Sequence, residues 1–163
     1  MNNSFLEFKK IVASKFKFKI FLFKNLPVVL FSGIQIQALT EQHAIISVKQ
    51  KWFNKNPFRS IYFATLSMAA ELSTGILCMG NIYKGKPAVS MLVIKTEADF
   101  YKKATGKILF TCSDGELIKN NIAHAIETQE AVTVKCHSSA VNENNETIAD
   151  FYFTWSFKIK TKK

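Results

Sequence analysis

The segment Ile61–Gly80, IYFATLSMAAELSTGILCMG, holds one charge, Glu71, in twenty residues. A run of that length is too long for an ordinary strand and matches one helix of about 30 Å. A helix that is apolar almost all round has to be covered on most of its sides. That demand decides which folds are open to the chain. With 163 residues it can bury a proper core, and one domain over 1–163 is expected, with residues 1–26 as a helical extension packed on it.

The cover comes from what flanks the helix. Before it, IQIQAL alternates apolar and polar residues, and HAIISVKQKW follows across the polar turn Thr40–Gln42. After it, PAVSMLVIKTEADF and GKILFTCSD read as two strands, and ELIKNNIAHAIETQ reads as a helix started by Asp114-Gly115. EAVTVKCHSSAV and TIADFYFTWSFKIK close the chain as a hairpin around Asn142–Glu146. The expected fold class is α+β, an antiparallel sheet of about six strands curled around one central helix. On that helix, three-to-four spacing gives Ile61, Met68, Leu72, Ile76 and Met79 as a large apolar face toward the sheet. A second line, Ser60, Ala64, Ser67, Glu71, Thr74 and Cys78, is small and partly polar, open to a second backbone or a ligand.

At the N-terminus, Ser4 is a plausible cap for a helix over 4–24, with Phe5, Phe8, Ile11, Val12, Phe16 and Ile20 as its apolar stripe. Five lysines between Lys9 and Lys19 fall mostly off the stripe. A membrane-surface helix and a helix packed on the domain with a solvated lysine face both fit, and packing is the simpler expectation. Asn25-Leu26-Pro27 breaks it.

The net charge of +10 arises from 22 Lys and Arg, of which Arg59 is the only Arg. A lysine surplus without arginine forks argues against base readout, and no nucleic-acid partner is expected. It suits a soluble surface, an acidic partner or an anionic cosubstrate. Cys78, Cys112 and Cys136 are odd in number and form no C-x-x-C pair, and the three histidines fall at no ligand spacing. Free buried thiols, no metal, no integral membrane segment and a cytoplasmic setting are the expectations. Gly80–Lys86 spells G-x-x-x-x-G-K, but Pro87 stands in place of Ser or Thr and a strand follows, so it reads as a connecting turn. Trp52 and Trp155 are expected in the core or an interface.

The stretch from Asn56 to Gly75 resembles the hotdog-fold family of acyl-thioester enzymes, in particular the phenylacetyl-CoA thioesterase-like and related uncharacterised branches. Their motif runs roughly N-x5-HGG-x6-D-x3-G. Here Asn56 occupies the Asn position, Tyr62-Phe63-Ala64 replaces HGG, Glu71 takes the acid's place and Gly75 that of the last Gly. The resemblance implies a homodimer, or a dimer of dimers, acting on acyl-CoA or acyl-carrier-protein substrates, with no cofactor beyond the coenzyme A moiety of the substrate itself. It implies Glu71 as general base or nucleophile and Asn56 as the group that positions water or the carbonyl. An N–H of Phe63 or Ala64 at the helix start would polarise the carbonyl, where the helix dipole favours negative charge. Arg59, Tyr62, Phe63, Ala64, Ser67 and Thr74 are the expected substrate-binding residues, with Arg59 able to meet a phosphate or Glu71. Because Asn56 and Glu71 are too far apart along one chain to meet, the site is expected between two subunits. The alternative is a non-catalytic acyl- or lipid-binding hotdog module.

Overall fold

The computed structural model describes residues 3–160. Its elements are α1 (Asn3–Ala13), α2 (Lys15–Asn25), α3 (Pro27–Phe31), β1 (Gln35–Leu39), β2 (Ala44–Lys49), α4 (Phe63–Ile82), β3 (Val89–Phe100), β4 (Lys107–Cys112), α5 (Gly115–Thr128), β5 (Val132–Val141) and β6 (Thr147–Ile159). All six strands join one antiparallel sheet in the order β1-β2-β4-β5-β6-β3. The expected hotdog architecture is thus present, with α4 as the helix the sheet wraps.

The β5–β6 hairpin shows how the sequence builds that sheet. Alternate residues of β5 (Val134, Cys136, Ser138, Ala140) and of β6 (Phe151, Phe153, Trp155, Phe157) are buried, the period of two that a half-covered strand requires. Their turn closes because the Asn142 side-chain oxygen accepts from the backbone N–H of Asn144 and of Glu146, both at 2.9 Å. β6 then carries β3 along its other side, from Val89 opposite Ile159 to Phe100 opposite Ala149. This leaves β3, a twelve-residue strand, as an open edge of the sheet.

α4 is long and apolar enough to cross a membrane, yet it is the core of this fold, with residues 72–78 all buried. Its two faces are partly exchanged relative to the sequence reading. Thr74 and Cys78, placed on the open line, face the sheet, and Thr74 bonds to Trp155 of β6. Leu72, Ile76 and Met79, placed toward the sheet, instead line a cavity beneath the N-terminal helices. Small side chains are what let the sheet backbone approach, so Thr74 and Cys78 of the small line meet the sheet while Glu71 of the same line turns to the cavity. The Ser73 hydroxyl donates to the Ala70 carbonyl at 2.7 Å and shares a 2.7 Å hydrogen bond with the Ser138 hydroxyl, which satisfies both buried groups.

The expected single helix over 4–24 is two helices. Ser14 caps α2, accepting from the Lys17 N–H at 3.4 Å, and the break resets the helical phase. Phe5 and Phe8 of α1 are buried as expected, but in α2 it is Phe18 and Leu22 that pack inward, while Phe16 and Ile20 point outward. α1 docks on α4 where Gly80 has no side chain: a methyl there would lie 2.6 Å from the Phe5 ring. Pro27 starts α3 rather than simply ending the helix before it. Trp155 is buried, whereas Trp52 sits in the short 3-10 turn Trp52–Asn54 and is 80% exposed, outside the core of this chain. Gly80–Lys86 spans the end of α4 and the connection to β3, as a turn and not a phosphate loop.

Candidate active site

Glu71 lies midway along α4 and reaches into a cavity of about 410 Å³. Leu72, Gly75, Ile76 and Met79 of the same helix form its floor, Met91–Val93 of β3 and Trp155 of β6 one wall, and Phe8, Phe18, Phe21 and Leu26 its roof. Apart from the carboxylate the lining is apolar. Among the described residues nothing donates a hydrogen bond to the Glu71 carboxylate and no cation pairs with it. Burial therefore acts unopposed and raises its pKa from 4.5 to about 7. A carboxylate poised there can accept a proton near neutral pH, in a mostly apolar space.

Gly75, one turn on, is what makes room for it. A methyl on Gly75 would lie 2.9 Å from Glu71 Oε1 and 3.2 Å from Trp155 Cζ2. The indole is held in place because its N–H donates to the Thr74 hydroxyl at 3.0 Å, and that hydroxyl donates to the Glu71 carbonyl at 3.0 Å. Thr74 is thus fully buried behind the wall rather than part of it. Ser67 also stands outside this cavity, donating to the Phe63 carbonyl at 3.1 Å.

The other expected site residues gather at the opposite end of α4, around a second cavity of about 300 Å³ bordered by Asn56, Tyr62, Phe63, Phe100 and Lys102. Asn56 folds its own loop: its side-chain oxygen accepts from the Phe58 N–H at 3.0 Å and the Ser60 N–H at 3.2 Å, and its amide donates to the Ser60 hydroxyl at 3.0 Å. This turn carries Arg59 at φ 61°, a left-handed conformation, with its carbonyl accepting from Gln50 and its side chain exposed. Tyr62 and Phe63 open the helix, half exposed and edge to face with ring centroids 4.9 Å apart, and Ala64 is partly buried. The backbone N–H groups of Phe63 and Ala64 have no protein acceptor among the described residues, so the positive end of the α4 dipole faces this cavity. Glu71 is about 12 Å up the helix from Phe63. Within one chain the two halves of the expected site are therefore separate.

The sequence reading missed the aromatic roof, because the phase break at Ser14 decides which residues face inward. No group of three or more His, Cys, Asp or Glu able to hold a metal is found among the described residues. The three cysteines are free and buried, and burial pushes the Cys112 thiol up to about 12, leaving it unreactive.

Solved structures share this architecture. A protein of unknown function from Pseudomonas aeruginosa, PA5026, described as a probable thioesterase, is 19% identical, with a TM-score of 0.75 over 88% of this chain and 95% of its own. The PaaI protein of the E. coli phenylacetic acid degradation operon is 16% identical, with a TM-score of 0.61 over 88% and 91% of the two chains. The thioesterase HI1161 from Haemophilus influenzae is 12% identical, with a TM-score of 0.60 over 90% and 91%. At such identities the likeness concerns the fold, which is that of hotdog thioesterase-like proteins. No curated protein matches the chain in sequence. The family model of DUF4442, a domain of unknown function, matches residues 15–156, from the start of α2 almost to the end of β6. The chain belongs to the DUF4442 family.

Proposed function

We propose that the protein is an acyl-thioester hydrolase in which Glu71 is the general base. The observation that carries this reading is an unpartnered, mostly buried carboxylate, with its pKa raised to about 7, at the polar end of an otherwise apolar cavity. The acyl chain would lie among Phe18, Phe21, Ile76 and Met79. The Glu71 carboxylate would take a proton from water, whose oxygen attacks the thioester carbon. Collapse of the tetrahedral intermediate breaks the C–S bond, and the proton passes to the departing thiolate, giving a carboxylic acid and a thiol.

The oxyanion donors come, in this reading, from a second subunit. β3 is a long open edge carrying exposed Leu92 and Ile94, which invites another strand. Met91–Val93 border the Glu71 cavity, while Phe100, about 27 Å along the strand, borders the cavity at the α4 N-terminus. Two-fold antiparallel pairing of β3 through its middle would set each of these opposite the other on the partner subunit. Glu71 of one subunit would then meet the free Phe63 and Ala64 N–H groups of the other, with Asn56 holding that loop in shape. A homodimer, or a dimer of dimers, follows, with two composite sites. The lysine surplus would suit CoA phosphates or an acidic carrier protein, and a cytoplasmic setting agrees with the free thiols.

Thiol release from a panel of acyl-CoA thioesters tests the reading. We expect turnover by the wild type and a loss of about a hundredfold or more in Glu71→Gln, the usual contribution of a general base. Absence of release at every chain length would remove the enzyme reading. One observation favours the alternative, an acyl- or lipid-binding module: Asn56 is engaged in its own turn, and the HGG of related enzymes is replaced by the bulkier Tyr62-Phe63-Ala64. A lipid that co-purifies without turnover would support it.

A further inference from the structure

α2, KFKFKIFLFKN, is apolar on two opposite sides. Phe18, Phe21 and Leu22 face inward, two of them roofing the Glu71 cavity. At about 100° per residue, Phe16, Ile20 and Phe23 fall within an arc of about 60° on the other side. They are exposed: Phe16 is 74% and Phe23 64% open to solvent. α3, directly following, adds exposed Val28 and Phe31. An apolar outer stripe has no role in packing α2 on its own fold.

Charge says what covers it. On the helical wheel Lys17 and Lys24 flank one side of the stripe and Lys15 and Lys19 the other, and all four are exposed. No acidic residue occurs between Glu7 and Glu41, and Lys9 and Lys10 of α1 extend the basic surface. Among the described residues none of these six lysines takes part in a salt bridge. A second copy docked two-fold on this face would set lysines against lysines, which disfavours self-association there. Protruding phenylalanines between two lysine rows instead match an interfacial helix, with rings below the headgroups and ammonium groups among anionic ones.

We propose that the outer face of α2 and α3 docks the protein on an anionic lipid surface. Phe16, Ile20 and Phe23 insert, and the flanking lysines bind the lipid headgroups. Because α2 also roofs the cavity, docking brings that cavity to within about one helix diameter, roughly 10 Å, of the bilayer. The docking stands whether or not the cavity hydrolyses thioesters.

The test is co-sedimentation of the full chain with vesicles of phosphatidylcholine alone and of phosphatidylcholine mixed with phosphatidylserine. We expect binding to the mixed vesicles, weakened by salt, and little binding to the neutral ones. A Phe16→Ser, Ile20→Ser, Phe23→Ser variant should lose binding with an unchanged circular dichroism spectrum, since these side chains are exposed. Replacing Lys17, Lys19 or Lys24 by Gln should weaken partitioning by about fivefold each, the usual worth of a basic residue at an anionic membrane. Glu71→Gln should bind like the wild type, which separates this result from the fate of the hydrolase reading. No binding at low salt, binding indifferent to headgroup charge, or a serine variant that changes only the oligomeric state would each overturn the proposal, the last by assigning the face to a second copy.

Discussion

The indole N–H of Trp155 donates to the Thr74 hydroxyl at 3.0 Å, tying β6 to the middle of α4 beside the residue that makes room for Glu71. Both partners are buried, so the indole has no water to turn to if the hydroxyl is lost. Thr74→Val should therefore cost about 1–3 kcal/mol, the penalty of a buried unsatisfied donor, while Thr74→Ser should cost less. Urea unfolding of the two variants measures the difference. Equal losses would mean that the hydrogen bond is not the stabilising element.

Gly75 is predicted to tolerate no side chain without harm to the cavity. In Gly75→Ala the new methyl meets the Glu71 carboxylate on one side and the pinned Trp155 ring on the other. Glu71 can swing away, but the ring cannot easily follow. We expect a destabilisation of about 1–3 kcal/mol, typical of overpacking. Thioester turnover should fall further than the stability loss explains. An alanine variant as active and as stable as the wild type would contradict this geometry.

Glu71 should make the protein less stable as pH rises. In the folded chain its proton is held up to about pH 7, whereas the unfolded chain releases it near 4.5. Between those values the folded state binds more protons, so raising the pH favours unfolding until the loss is complete above about 7. The shift corresponds to roughly 3 kcal/mol. Glu71→Gln should match the wild type near pH 4.5 and exceed it in stability above neutrality. Denaturant midpoints across pH report this directly, and a wild type whose pH slope survives in the Gln variant would point to another group. Turnover should move oppositely, with kcat/KM rising through pH 7 as the base ionises.

The open edge of β3 makes a separate prediction. Ile94 is half exposed and lies outside both cavities. If the proposed pairing holds, the wild type should sediment as a dimer and Ile94→Lys as a monomer, since a two-fold edge would bring the introduced charges close together. If the site is composite, turnover should vanish with the dimer although Glu71 is untouched. An active monomer would defeat the two-subunit site.

Much of this architecture was legible along the chain because it rests on local periodicity. The alternation of β1, β5 and β6, the polar turn at Asn142 and the length of the apolar run around Glu71 each depend on neighbours a few residues away. Glu71 stood out as the only charge in that run, while Gly75 was marked only by the resemblance to the hotdog motif; four residues apart, the two lie together on any helix. The roof could not be read in this way. Whether Phe16 or Phe18 faces the cavity turns on a single break at Ser14, and both registers of FKFKIFLF are apolar.

By itself, then, the sequence determined that one apolar helix had to be wrapped by a sheet, and that an acid would be carried into the wrapped interior. Burial of that run can be satisfied in few other ways. Only the tertiary structure decided which side of α4 meets the sheet, because Thr74 and Cys78 could pack closely against strands while Leu72, Ile76 and Met79 needed the wider space under α1 and α2. It also decided that no cation among the described residues pairs with Glu71. The described lysines lie mostly in solvent, and desolvation at the cavity wall acts on the carboxylate without opposition.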